Sequence, residues 1–268
     1  MSRSVLIALI AGSLSMAISG QGLSTSEKQI VESARSKYYN LEGLGFQSAT
    51  CKVNFDFSTI PSLAAEDKEA TYRLLRAIRF SLNLERKNPS VFYSYPLGTS
   101  DTAQQRAAPT TNLLKSLAMG VFQTWPTKGL RGPIPAFDSQ IQGAVATDDG
   151  YVVTLKVPGG PVQVEMNKDY LVRRIVSVGG KIDERPLYAA TPEGLIFAGV
   201  YVIDDSEQGG RVEVQYELEN TIVDGLRLPT FVHLRVNQNI DVKFSLSDCS
   251  VEKGRVLFLK PPAVADQK

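Results

Sequence analysis

Residue types that carry most metal and acid–base chemistry are scarce in this chain. Its 268 residues include one histidine, His233, and two cysteines, Cys51 and Cys249. So few imidazole and thiolate groups cannot supply the usual zinc ligand sets, so we expect no metal and no cofactor. A Ser-His-acid triad would have to use His233, yet the chain has no Gly-x-Ser-x-Gly elbow. We therefore interpret His233 as an ordinary surface or rim residue, predict no catalytic residue, and expect the protein not to be an enzyme.

An excess of charge of either sign is also absent. Arg3 is the only charged residue among the first nineteen, so the rest of the chain carries 28 basic and 28 acidic side chains. Nucleic acids and anionic membrane surfaces both favour a basic excess in their partners. We therefore do not expect nucleic acid as a partner.

Long hydrophobic runs are missing except at the N-terminus. There, Arg3 precedes the apolar block Val5 to Leu9, and small residues follow up to Ser19. This layout is typical of a secretory signal peptide, which predicts residues 1–19 as the signal with cleavage after Ser19. A membrane-spanning helix, the alternative, needs about 20 predominantly apolar residues, and Gly12 interrupts this run. We expect a periplasmic or secreted protein that does not span the membrane after signal removal.

Cys51 and Cys249 lie near opposite ends of the exported chain. In an oxidising compartment the two are expected to form a disulfide, which would stabilise the fold by about 3 to 5 kcal/mol in the chain-entropy model. Two buried free thiols are the alternative. Cys249 is out of phase with the apolar positions from Ile240 to Leu246, so the bridge requires a β-bulge or the end of a strand near Asp248.

Two segments have helical character. Ser24 and Glu27 have the spacing of a capping box and begin a helix of four to five turns. Its apolar stripe consists of Ile30, Ala34, Tyr38 and Leu41. A second helix is expected from about Thr111, inside a Pro-rich insertion that extends from Leu97 to Pro135. Its apolar positions are Leu113, Leu117 and Val121.

The rest of the chain alternates between apolar and polar residues, with Gly-, Asp- and Asn-containing turns between the runs. This pattern predicts about ten or eleven antiparallel strands in a single domain over residues 20–259, followed by a flexible tail at 260–268. In the most regular run, from Val212 to Leu218, every second residue is apolar. A sheet this long twists and tends to curl, so its apolar face becomes concave and the two helices are expected to cover it. The predicted fold class is α+β.

Several segments resemble the LolA-like superfamily of periplasmic lipoprotein carriers, RseB-type sigma-factor regulators and LppX-type lipid carriers. The segments are YELEN followed by VDGLRLPTFVHLRV, then VKFSLSDCSV, LERKNPSVFYSYP and VQVEMNKDYLVRRIVSV. The resemblance implies a signal sequence, an N-terminal helix, and an unclosed antiparallel β-barrel of about eleven strands with helices in its mouth. It supports the architecture more than any particular cargo.

The resemblance implies that an apolar or acylated ligand, such as a lipid or the acyl chains of a lipoprotein, binds in the concave face. The candidate lining residues are Val53, Phe55, Phe57, Leu82, Leu84, Tyr93, Val214, Tyr216, Val232, Leu234 and Phe244. Alternatively, these side chains form a solid core. A second hypothesis is a non-enzymatic scaffold or sensor that binds another exported protein through a sheet edge or the insertion. A run of arginines at 73, 76 and 79 is either a solvated edge or a site for an anionic head group.

Overall fold

A computed structural model describes most of the chain between residues 22 and 254. The described ranges are 22–58, 68–177, 179–205, 210–237 and 239–254. The predicted signal peptide and the predicted flexible tail lie outside these ranges. No helix among the described residues has both the length and the apolar character needed to cross a membrane.

The described ranges contain twelve strands, four α-helices and a 3-10 turn at Asp138–Gln140. The helices are α1 (Thr25–Arg35), α2 (Lys68–Ala77), α3 (Asp101–Thr124) and α4 (Pro126–Gly129). The strands are β1 (Phe46–Phe55), β2 (Arg79–Glu85), β3 (Ser90–Ser94), β4 (Ile141–Thr147), β5 (Gly150–Val157), β6 (Gly160–Asn167), β7 (Val172–Ser177), β8 (Ile182–Thr191), β9 (Gly194–Asp204), β10 (Val212–Val223), β11 (Leu226–Val236) and β12 (Ile240–Lys253).

All twelve strands belong to one antiparallel sheet, in the order β3-β2-β1-β12-β11-β10-β9-β8-β7-β6-β5-β4. Within the described ranges, β3 and β4 lie at the two ends of this order, so the sheet is open. The antiparallel, unclosed α+β architecture confirms that part of the prediction. The strand number is higher than expected because β8 was not predicted: only Pro186 of its ten residues is buried, so it lacks apolar alternation.

Contacts along the chain define two compact units. Among the described residues, the first unit comprises 22–37, 134–177, 179–186, 202–205 and 210–212, and it contains α1 and β4 to β7. The second comprises 38–58, 68–133, 187–201, 213–237 and 239–254, and it contains β1 to β3, α2 to α4, β11 and β12. Strands β8, β9 and β10 have residues in both units.

Helix α1, in the first unit, begins with the predicted capping box. The Ser24 hydroxyl accepts a hydrogen bond from the Glu27 amide, and Glu27 accepts one from the Ser24 amide at 2.8 Å. Glu27 also accepts a hydrogen bond from the Ala144 amide of β4 at 3.2 Å. These bonds, led by that of the Ser24 side chain, hold the pKa of Glu27 below its ordinary value. One carboxylate thus caps the helix and satisfies a backbone donor of the edge strand β4.

The predicted length of this first helix was wrong. The helix ends at Arg35, with Ser36 as its C-cap, after about three turns. Tyr38 and Leu41 are buried outside the helix, and Tyr38 forms an isolated bridge with Leu195. The predicted apolar stripe therefore combined two residues of α1, Ile30 and Ala34, with two residues that are buried outside the helix, Tyr38 and Leu41.

Helix α3, in the second unit, begins ten residues before the predicted start. Ser100 caps it, and its hydroxyl accepts a hydrogen bond from the Ala103 amide at 3.3 Å. Pro109 lies inside the helix, nine residues after the Ser100 cap. The predicted apolar face was also partly wrong, since Leu113 is 46% exposed while Leu114 is buried. The buried positions of α3 are Ala107, Thr110, Thr111, Leu114, Ala118, Val121 and Phe122.

The C-terminal end of α3 contacts the apolar face of two strands. The Phe122 ring lies 6.2 Å from the Phe244 ring of β12. The Thr124 hydroxyl lies 2.7 Å from the Tyr216 hydroxyl of β10. Trp125, which follows the helix, is 1% exposed and packs edge-on against Phe46 of β1.

The curled shape of the sheet, and the covering of a concave face by helices, stay predictions.

The Cys51–Cys249 disulfide is present and joins β1 to β12, as predicted. The required bulge is present as well. Thr50 pairs with Ser250 and Lys52 pairs with Ser247, so two steps along β1 face three steps along β12. The extra residue brings Cys249 opposite Cys51, and Asp248 adopts a left-handed φ of 48°. After the bulge, Val251 opposes the buried Ala49, so the apolar phase of β12 has moved by one residue.

Removing the disulfide is expected to destabilise the second unit by about 4 to 5 kcal/mol, because the bridge closes a long loop in the unfolded chain. Its cysteines are separated by 198 residues. Urea unfolding with and without dithiothreitol measures the effect. A Cys51→Ala/Cys249→Ala double variant should match the reduced wild type and not respond to the reductant. An unchanged wild-type midpoint under reducing conditions would contradict this.

Substitutions at Asp248 test the bulge itself. Asp248→Gly should keep or raise stability, since glycine adopts positive φ without steric cost and the exposed Lys52–Asp248 ion pair contributes at most about 1 kcal/mol. Asp248→Val should lower the free energy of unfolding by about 1 to 3 kcal/mol, because β-branched residues avoid this region. Asp248→Asn is the control, since it removes the charge and still tolerates positive φ. Equal unfolding midpoints for the Gly and Val variants would argue against the left-handed conformation.

Candidate functional site

An aromatic cluster lies where β1, β2 and β12 meet. The register places Val53 opposite Phe80 of β2 and Phe55 opposite Phe244 of β12. The Phe55 ring lies 4.9 Å from that of Phe80 and 5.2 Å from that of Phe244. Tyr93 of β3 extends the cluster, since its ring lies 5.8 Å from Phe80. Cross-strand aromatic pairs of this kind stabilise the sheet and leave flat, rigid apolar surface at their edges.

A cavity of about 390 Å³ opens beside this cluster. Its apolar wall consists of Val53, Phe55, Phe57, Ile78 and Phe80. Its polar lining consists of Asn54, Asp56, Ser58 and Arg76. Strand β1 ends at Phe55 and α2 ends at Ala77, so the cavity forms where the chain leaves the sheet and where it returns.

Most polar groups at this cavity already have partners. The Asn54 amide donates to the Ser247 hydroxyl at 2.9 Å. One Asp56 carboxylate oxygen accepts bonds from the Ser58 hydroxyl at 2.6 Å and from the Ser58 amide at 3.0 Å. These bonds, the hydroxyl first, hold the pKa of Asp56 below its ordinary value, so Asp56 is ionised at neutral pH.

The predicted lining residues divide into two groups, all of them in the second unit. Val53, Phe55 and Phe57 border the cavity, and Phe244 and Tyr93 contact its aromatic wall. The others do not border it. Leu82, Leu84, Tyr216, Val232 and Leu234 are buried, and Val214 is half-buried. The lining role of these residues stays a prediction.

The predicted lining set lacks six of the described residues at the cavity, which are Asn54, Asp56, Ser58, Arg76, Ile78 and Phe80. Phe80 shares the apolar phase of Leu82 and Leu84, so the alternation of β2 contained the signal. Ile78 lies between α2 and β2, outside any periodic pattern. Arg76 was noticed only as part of a basic run, because its position beside the cavity depends on how α2 packs.

A second hollow of about 450 Å³, lined by more charged side chains than the first, lies over β8 to β12. Its lining is Leu187, Ala198, Glu217, Leu218, Glu219, Phe231, His233 and Lys243. Glu217, His233 and Lys243 oppose one another across three strands on the polar face.

His233 Nε2 lies 2.8 Å from Asp241 Oδ1, but within the described ranges no hydroxyl group hydrogen-bonds to the His233 ring. A carboxylate–imidazole pair alone lacks the nucleophile that hydrolysis by a triad needs.

Comparisons with family models, with curated proteins and with solved structures find no match to this chain. The resemblance to LolA-like proteins therefore stays a prediction. Among the residues that the structure describes, no group of three or more His, Cys, Asp or Glu side chains is placed to hold a metal ion. The 390 Å³ cavity is the best candidate binding site, since it combines an apolar wall with a charged group.

Truncation of two phenylalanines separates core from cavity wall. Phe244→Ala should cost about 3 to 5 kcal/mol of stability, because Phe244 is 1% exposed and packed between other rings. Phe57→Ala should cost only about 1 kcal/mol, because Phe57 is half-buried at the cavity. Urea unfolding of both variants measures the difference. Equal losses would place Phe57 in the packed core and remove it from the cavity wall.

Proposed function

We propose that this protein binds an apolar or acylated ligand, such as a lipid or the acyl chains of a lipoprotein, and acts as an exported carrier without enzymatic activity. The observation that carries the proposal is the 390 Å³ cavity with its wall of three phenylalanines, a valine and an isoleucine. Small-molecule sites are typically apolar hollows of about 300 to 1,000 Å³ with a few polar groups.

The chemistry of this wall suits an acyl chain. Each methylene group that moves from water into an apolar environment contributes about 0.8 kcal/mol, so affinity grows with chain length and needs no directional bonds. The cross-strand rings hold the wall in place before the ligand arrives, which limits the entropy lost on binding. A site of this kind binds and releases its ligand without changing it, as a carrier requires.

The architecture supports the same proposal. The chain has an open antiparallel sheet and an N-terminal helix, which are features that the LolA-like resemblance implies, whereas the helical insertion departs from that pattern. The disulfide fits an oxidising compartment, so the proposed location is the periplasm or the extracellular space. Binding within a concave face of the sheet, covered by the helices, belongs to this proposal.

A scaffold or sensor that binds another exported protein is the second candidate. The observation in its favour is the 450 Å³ hollow on the polar face, where the half-buried Phe231 and the 46% exposed Leu187 lie among charged side chains. A mixture of exposed apolar and charged groups is typical of the rim of a protein interface. The two candidates differ in which face of the sheet makes the contact.

Protein purified natively from its own host should carry lipid, and mass spectrometry of an organic extract should detect it. A Ser58→Trp variant places an indole at the cavity, so it should lose most of this lipid because the acyl chain no longer fits. A Thr50→Trp variant is the matched control. Thr50 is exposed on the polar side of β1, the strand that precedes Ser58, so this variant should retain lipid at the wild-type level.

The extracts of wild type, Ser58→Trp and Thr50→Trp distinguish the two candidate functions. Reproducible absence of lipid from wild type and control would exclude the carrier proposal and favour the scaffold. Equal lipid in all three would place the binding site outside this cavity. Circular dichroism and unfolding midpoints establish that both tryptophan variants are folded.

A further inference from the structure

One polar group at the apolar cavity has no partner in the part of the chain that the structure describes. Four polar side chains of the described residues line the cavity, and three of them are engaged: Asn54 with Ser247, and Asp56 and Ser58 with each other. The guanidinium of Arg76, by contrast, makes no hydrogen bond or ion pair with any residue in the described ranges. The group that remains available to a ligand is therefore a cation.

The neighbourhood of Arg76 is basic. Arg73 lies one turn earlier on α2 and Arg79 begins β2, and both are exposed. Within the part of the chain that the structure describes, neither forms an ion pair. Among the described residues, Asp56 is the one carboxylate of the cavity lining, and Lys243 lies close enough to interact with it electrostatically. The local field therefore favours a negative group beside Arg76.

We propose that the cavity takes an acidic amphiphile, with its carboxylate or phosphate head on Arg76 and its acyl chain against Phe55, Phe57 and Phe80. This inference rests on the proposed function and adds the charge of the ligand head group. A guanidinium presents donors in a planar fork that matches carboxylate and phosphate oxygens, so the pair forms two parallel hydrogen bonds. The apolar wall lies on the same cavity, so one molecule contacts both.

Asp56 limits how strongly an anion binds. Its carboxylate stays ionised because of the Ser58 bonds, so it repels an acidic head group across the same cavity. Removing this charge is expected to strengthen binding of an anion and to leave binding of a neutral ligand unchanged. Removing the Arg76 charge should thus weaken anion binding, whereas removing the Asp56 charge should strengthen it. A general effect on folding would not change binding in opposite directions.

The experiment compares four ligands with the same twelve-carbon chain: dodecanoate, dodecyl phosphate, dodecanol and dodecyltrimethylammonium. Each displaces a fluorescent fatty-acid probe from the purified full chain, at low ionic strength and below its micellar concentration. The two anions should bind about three- to tenfold more tightly than dodecanol, and the cation more weakly than dodecanol. The ratio of dodecanoate to dodecyl phosphate distinguishes a carboxylate head from a phosphate head.

Three variants test whether Arg76 causes the preference for anionic ligands. Arg76→Gln should abolish the preference for anions and keep the affinity for dodecanol. Arg73→Gln, the matched control one turn away and outside the cavity lining, should keep the preference. Asp56→Asn should increase it.

The outcomes are distinct. Binding of dodecanol and both anions with equal affinity, or an anion preference that persists in Arg76→Gln, overturns the head-group inference and leaves the carrier proposal in place. Failure of all four ligands to displace the probe, or failure of the probe itself to bind, overturns both. Unfolding midpoints near wild type for the three variants exclude misfolding as the cause.

Discussion

The pairing of β1 with β12 is the constraint on which the candidate site depends. It joins segments that lie almost two hundred residues apart, and it places Phe55 opposite Phe244 and Val53 opposite Leu246. Bringing distant strands together costs loop-closure entropy, which grows slowly with loop length. The disulfide removes part of this entropy from the unfolded chain. Without this register, Phe55 would not face Phe244, and the wall of the cavity would not form.

The bulge at Asp248 resolves a conflict between two requirements of the same strand. The residues from Val242 to Leu246 must present alternate side chains to the apolar face, whereas Cys249 falls on the other phase. One extra residue in β12 shifts the alternation of its side chains by one position. Leu246 and Cys249 therefore both lie on the face that carries Cys51. The left-handed φ of Asp248 is the local strain that accompanies this solution.

The cavity lies at a place where the chain changes its secondary structure. Phe122 of α3 contacts Phe244, while Phe55 and Phe80 border open space. A strand end and a helix end meet there, so the cavity acquires backbone turns and a charged side chain as well as an apolar wall. This mixture allows one site to hold an acyl chain and to recognise what the chain is attached to.

Local patterns predicted much of the secondary structure and little of the site. Alternation identified the apolar phase of β10, β11 and β12, and the spacing of Ser24 and Glu27 identified the start of α1. Prediction failed where the apolar pattern was weak or absent, as in the first ten residues of α3 and in β8. It also failed for Ile78 and Arg76, whose positions depend on the packing of α2, which contacts α3.

The sequence by itself determined which side chains share a face, where the chain turns, and that the two cysteines needed either a bulge or the end of a strand to meet. Only the tertiary structure decided which apolar side chains are packed and which border a cavity. Leu82 and Phe55 have the same alternating pattern, yet Leu82 is fully buried away from the cavity and Phe55 lines it. The physical reason is that alternation is set by the backbone of one strand, whereas solvent access depends on what distant parts of the chain place above it.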